Sequence, residues 1–154
     1  MLEDCKSAQE RWGGVSEIID RWLQERQQML VLYCNLSEIC DLPDHPERAA
    51  QVKTLCEIVV DYVSAGHFEI YNQLLQEGEE FEDQEGLKQA GELFKIIDSS
   101  TEVALDFNDK YLETDDLETI NQDLSHLGES LVSRFEAEDK MIEVLHVSHK
   151  DQVA

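Results

Sequence analysis

Apolar residues recur at helical spacing along almost the whole chain, and two-residue alternation nowhere persists long enough to predict a strand. A short first helix carries Leu2, Cys5, Gln9 and Trp12, and Gly13-Gly14 is expected to end it. The second helix is expected from about Ser16 to Cys40, on a stripe of Val15, Ile18, Ile19, Trp22, Met29, Leu30, Tyr33 and Leu36. Pro43 and Pro46 then break the chain, and Asp44-His45-Pro46-Glu47 reads as a helix start: an N-cap acceptor with a glutamate three residues on. The third helix is expected to run to about Glu77, with Gly78 as its stop, on Val52, Leu55, Cys56, Val59, Val63, Ile70 and Leu74. Six acids and two glycines between Glu77 and Gly86 predict an exposed connector. The fourth helix carries Leu87, Ala90, Leu93, Phe94, Ile97, Ala104, Leu105, Tyr111 and Leu112. A second capping box at Asp115-Asp116-Leu117-Glu118 opens the last helix, with Leu117, Ile120, Leu124, Leu127, Leu131, Phe135, Met141, Ile142 and Leu145. The fold class is therefore all-α. Four long amphipathic helices with short connections predict an antiparallel up-down-up-down four-helix bundle, with the short N-terminal helix as an accessory.

Two features do not fit a plain bundle. On the third helix, Asp61, Ser64, Phe68, Tyr71 and Leu75 stand at i, i+3, i+7, i+10 and i+14, a second stripe beside a core stripe that is complete without them. It mixes an acid with two aromatics, a composition found at interface centres. Either the first helix covers it, using Trp12, or a partner does. The second feature is charge on core stripes. Arg26 falls between Trp22, Met29 and Tyr33, and Arg134 and Glu138 lie one turn apart beside Leu131 and Met141. Such arginines either lay their stems on apolar surface and reach water, or pair with Asp61 or Glu138 in a polar cluster inside the bundle.

Length and charge narrow the function. The 154 residues suit one domain, 1–154. Lys plus Arg total 12 against 35 Asp plus Glu, a formal charge of −23, which repels nucleic acid and anionic membrane and attracts basic partners. Residues 77–154 carry 22 acids and 6 bases, against 13 and 6 in residues 1–76, so the acidity concentrates in the second half. Cys5, Cys34, Cys40 and Cys56 form no CxxC pair, and Cys34 and Cys56 read as small buried hydrophobes. The acidic start Met1-Leu2-Glu3-Asp4 is unlike a signal peptide and no apolar run approaches a bilayer span, so the cytoplasm is the expected compartment.

Enzymatic and metal chemistry find little purchase. Gly-x-Ser-x-Gly, P-loop and dinucleotide-binding patterns are missing from the sequence. A di-iron bundle needs Glu-x-x-His on two helices; Glu143–His146 fits once, and Asp123–His126 is a weak second on the same helix. A hemerythrin-like site is closer. His67-Phe68 has the histidine but puts Tyr71 where a carboxylate belongs, and Arg134-Phe135 with Glu138 has the carboxylate but puts arginine in the histidine's place. No cofactor or metal is expected, His67 reads as a structural or interface residue, and a metal-binding bundle remains the alternative. His45, His126, His146 and His149 read as surface or cap residues.

The strings Asp20-Arg21-Trp22-Leu23 with Arg26 and Tyr33, Val60-Asp61-Tyr62-Val63-Ser64-Ala65-Gly66-His67-Phe68-Glu69-Ile70-Tyr71, and Arg134-Phe135 with Glu138-Asp139-Lys140 resemble the Rsd/AlgQ family of bacterial anti-sigma factors. Glu10-Arg11-Trp12-Gly13-Gly14-Val15 is closer to the AlgQ branch, which is associated with alginate regulation. The resemblance implies a four-helix bundle without enzyme activity. It implies binding of the housekeeping sigma factor at its C-terminal helix-turn-helix module, which keeps sigma from core RNA polymerase. Asp61 matches a family position associated with sigma binding and is expected to pair with a sigma arginine, while Phe68, Tyr71 and their neighbours, with Ser64 on the same stripe, bury sigma's apolar residues. Asp20, Trp22 and His67 match recurrent family positions and are candidates for contact or for support of the helix carrying Asp61. A monomer, or a weak homodimer through the same stripe, is expected.

Overall fold

A computed structural model describes the backbone of residues 2–42, 45–114 and 116–148, and side chains within these from residue 17 onward. It contains α1 (Leu2–Cys40), α2 (Arg48–Ala65), α3 (Tyr71–Glu80), α4 (Gln84–Tyr111) and α5 (Ile120–Ile142). Two π-helical turns, Gly66–Ile70 and Glu143–Val147, continue α2 into α3 and extend α5. No strand occurs among the described residues. Among the described residues no helix is long and apolar enough to cross a membrane.

The helices run alternately up and down. Arg26 of α1 meets Glu138 of α5 while Tyr33, two turns on, meets Leu124, so these helices are antiparallel. Arg134 of α5 reaches Ile97 of α4, and further on Lys110 reaches back to Asp123. The interior between them is built from the expected stripes, among them Met29, Leu36, Leu55, Val59, Leu74, Ile97, Leu127 and Met141, all buried. At the far end Lys110, Tyr111 and Thr119 converge on the Asp123 carboxylate and join α4 to the start of α5.

Several boundaries differ from expectation. Gly13-Gly14 does not interrupt α1, which is one helix, so the accessory helix is continuous with the first bundle helix. Two glycines lower helix propensity by only about 1 kcal/mol each, which a long helix absorbs. Gly78 does not stop α3 but lies buried inside it, and the Glu77–Gly86 connector shrinks to Phe81–Asp83. Asp83 caps α4 by accepting from the Gly86 amide at 2.9 Å. The cap predicted at Asp44, Asp115 of the second capping box, the side chain of Trp12, and His149 lie outside the described residues and side chains. Cys34 is exposed rather than buried; Cys40 and Cys56 are buried, and burial pushes the Cys56 thiol up to about 11.

The glycines give one prediction of opposite signs. A Cβ at Gly78 would stand 2.8 Å from Leu145 Cδ2 and 2.9 Å from Leu87 Cδ2, so Gly78→Ala should destabilise by roughly 1–3 kcal/mol through overpacking. Gly91 faces open space in α4, so Gly91→Ala should stabilise by about 0.5–1 kcal/mol. Urea unfolding followed by circular dichroism measures both, and equal shifts would refute the packing assigned to Gly78.

Candidate partner-binding site

The seven sequence candidates separate into an outer and an inner set. Asp20, Asp61, His67 and Phe68 are exposed and Ser64 is half-buried. Phe68 is 71 % exposed, the most exposed of the large hydrophobic side chains described. Asp61 forms no hydrogen bond or ion pair with any described residue. Glu57, which sequence spacing did not single out, is also exposed one turn before Asp61. Glu57, Asp61, Ser64 and Phe68 thus follow one another along the outer side of α2 and the π turn after it as a ridge, acidic at one end and aromatic at the other.

Trp22 and Tyr71 belong elsewhere. Each is 2 % exposed, so the expectation of Tyr71 on the second stripe is corrected. The reason is the π turn. The Tyr71 amide bonds to the Gly66 carbonyl, five residues back, so one extra residue enters the helix. That rotates everything beyond it by about 100°. Tyr71 turns from the outer side to the interior, Leu75 becomes half-buried against the core, and Phe68, on the bulge itself, stays outside.

Beneath the ridge lies the polar cluster expected from Arg26, Arg134 and Glu138, with Glu138 at its centre and Asp61 no part of it. Tyr62 Oη donates to Glu138 Oε1 at 2.6 Å, and Tyr71 Oη donates to Oε2 at 2.5 Å. Arg134 Nε donates to Oε2 at 3.2 Å and Arg26 Nη2 to Oε1 at 3.4 Å. Arg134 is wholly buried and also donates to the Ile97 carbonyl, Ser100 Oγ, Thr101 Oγ1 and Tyr71 Oη. Arg26 lies between the rings of Trp22 and Phe135 and pairs with Asp139 at 2.6 Å. The Trp22 ring stacks on Tyr62 at 4.9 Å, and its Nε1 donates to the Tyr62 carbonyl.

Burial pushes the Glu138 carboxyl up from the ordinary carboxylate range, against the opposing pull of Arg134, the two phenols and Arg26. Burial and the adjacent Glu138 raise both phenols, so Tyr62 and Tyr71 stay protonated donors. A second buried pair, Glu77 with His146 Nδ1 at 2.9 Å, ties α3 to the π turn after α5 and places His146 inside rather than on the surface.

This geometry does not favour the metal alternative. His67 points to solvent, while Glu138 is occupied by two cations and two phenols. Among the described residues no three His, Cys, Asp or Glu side chains gather as ligands. Sequence spacing reached Arg26, Arg134 and Glu138. Tyr62 was missed because it stands within the core stripe, where only its hydroxyl marks it as more than packing.

Fold and site together define an all-helical bundle with a satisfied polar interior beneath an acidic, aromatic-tipped outer ridge. The profile of the family described as regulator of RNA polymerase sigma(70) subunit, Rsd/AlgQ, matches residues 1–146, and the chain belongs to that family. Among its relatives, a regulator of sigma D from Enterobacter sp. (strain 638) is 35 % identical, covering 100 % of this chain and 98 % of its own. The regulator of sigma D from Salmonella arizonae (strain ATCC BAA-731 / CDC346-86 / RSK2980) is also 35 % identical, over 92 % of this chain and 90 % of its own.

Proposed function

We propose that the chain acts, as a single unit of residues 1–154, as an anti-sigma factor. It binds the C-terminal helix-turn-helix module of the housekeeping sigma factor and keeps that sigma from core RNA polymerase. It works in the cytoplasm as a monomer or weak homodimer, by binding and not by catalysis, with no metal or cofactor. The observation that carries this reading is the outer ridge: an acid and an aromatic that the bundle's own interior leaves facing solvent. A promoter-reading module displays basic residues for DNA phosphate, and a chain of charge −23 offers acids to those residues while repelling DNA. Asp61 takes a sigma basic side chain, and Phe68 covers an apolar patch beside it. Ser64 and His67 flank them, and Asp20 contributes from α1. Trp22 and Tyr71 support from within.

The test is calorimetric titration of the purified protein with a sigma C-terminal fragment and with sigma lacking that module. Binding confined to the molecules that carry the module, and weakening with salt, is expected. Equal binding to sigma without the module would move the partner surface elsewhere on sigma, and no binding to any form would refute the reading.

A further inference from the structure

The seam between α4 and α5 is open on its outer side. The two helices are antiparallel, with Arg134 against Ser100 at one level and Lys110 against Asp123 at another. Along the seam run two hollows, of about 380 Å³ and about 130 Å³. Val103 and His126 line both, so the hollows form one groove. From Ile96 to Lys110 it follows about 21 Å of α4, the length of a four-turn helix. Ser99, Ser130 and Ser133 keep it wide, where larger side chains would close it. Ile96, Val103 and Phe107 give it apolar surface, and Ile96 is 45 % exposed.

Charge decides what fits there. Asp106 on α4 and Glu129 on α5 line the groove from opposite sides. Both are exposed, and neither forms a hydrogen bond or ion pair with a described residue. Lys110 lines it too, but its ammonium lies 2.7 Å from Asp123. Glu102 and Glu136, a turn away on the two helices, are also exposed. Nucleic acid, an anionic membrane or a second copy of a chain of charge −23 would be repelled. A helix that carries Lys or Arg beside a narrow apolar stripe matches both features. Its stripe enters the groove, and its bases reach the two free carboxylates.

We propose that the α4–α5 groove is a second docking seat, separate from the ridge, for a basic amphipathic helix of a partner protein. The helices pack in a ring, α1 on α2, α2 on α4, α4 on α5 and α5 on α1. The ridge on the outer side of α2 and the groove on the α4–α5 seam therefore look in different directions. The seat does not depend on the sigma-binding reading.

The probe is a Leu/Lys peptide of about 18 residues with leucines at helical spacing, long enough to form a helix. It is titrated into the full chain by calorimetry and followed by amide NMR shifts, with a Leu/Glu peptide of the same pattern as control. The Leu/Lys peptide should shift Ser99, Val103, His126 and Ser130, and the Leu/Glu peptide should not bind. Asp106→Asn with Glu129→Gln should weaken the Leu/Lys peptide at least about tenfold, and so should Ser133→Lys, which fills the groove. Glu17→Gln with Glu38→Gln removes the same charge from α1 and should change affinity less than about twofold. All five positions are exposed, so the fold is kept. Equal losses in the two double variants would show a diffuse response to net charge and overturn the proposal. So would shifts centred on Asp61 and Phe68, or a Leu/Lys peptide that does not bind. Sigma is absent from every arm, so the outcome stands apart from the sigma-binding test.

Discussion

Arg134→Ala is expected to cost about 3–5 kcal/mol of folding stability, the range found when one member of a buried charge pair is removed. Arg134 is 0 % exposed, and its guanidinium donates to a carboxylate, a backbone carbonyl and three hydroxyls. Alanine empties that volume and leaves Ser100, Thr101 and Tyr71 without their donor. It also leaves Glu138 with Arg26 as its nearest cation, at 3.4 Å and near the surface. The sign of the pH dependence follows from Glu138. A carboxyl raised in the folded state favours the protonated form there, so its contribution is most favourable below its ordinary value of 4.5 and is lost as pH rises through the raised one. Removing Arg134 takes away the strongest force holding that carboxyl down, so it rises further. The stability gap between wild type and variant should therefore be widest near neutrality and should narrow on acidification toward the ordinary value. Urea unfolding at several pH values measures both. A loss below about 1 kcal/mol at neutral pH would show that water replaces the guanidinium.

How much of this was legible in the sequence depends on what each residue depends on. The four long helices follow from a 3.6-residue stripe, which is local, and most of its residues are buried, but on α4 Leu105 and, just past its end, Leu112 face solvent while Phe107 takes the core position. Arg134 and Glu138 could be picked out because charge on an apolar stripe demands a partner. Which partner could not be read: Asp61 and Glu138 were both candidates, and only the tertiary fold, which turns Asp61 to solvent and buries Glu138 beside both arginines, selects Glu138. Tyr71 was misplaced because nothing in the local pattern announces the π turn, which comes with tertiary contacts: two phenols meeting one carboxylate, and a glycine packed close to Tyr71 and Trp22. Residue counting assumes an unbroken period, so one inserted residue moves every later side chain. Gly13-Gly14 and Gly78 misled for a related reason, since a glycine ends a helix only where the surroundings let it, and at Gly78 neighbouring leucines fill the space instead.

Asp61→Ala is expected to weaken binding of the sigma C-terminal module by about 2–5 kcal/mol, the cost of leaving a buried partner charge unpaired. The fold should be nearly untouched, because Asp61 is exposed and bonds to no described residue. This separates it from Arg134: one substitution moves the unfolding midpoint, the other the affinity. Asp61→Asn keeps size and polarity, so a loss close to that of alanine would assign the effect to charge. The salt dependence supplies a second reading. If Asp61 meets a basic side chain, the variant's affinity should fall less steeply with added salt than that of wild type, since one charge pair has gone. Glu57, a turn away on the same ridge, gives the internal comparison: if it only adds to the field, Glu57→Ala should slow association and change dissociation little. Wild-type affinity in Asp61→Ala would remove the ridge's acid from the mechanism and leave Phe68 as the first place to look.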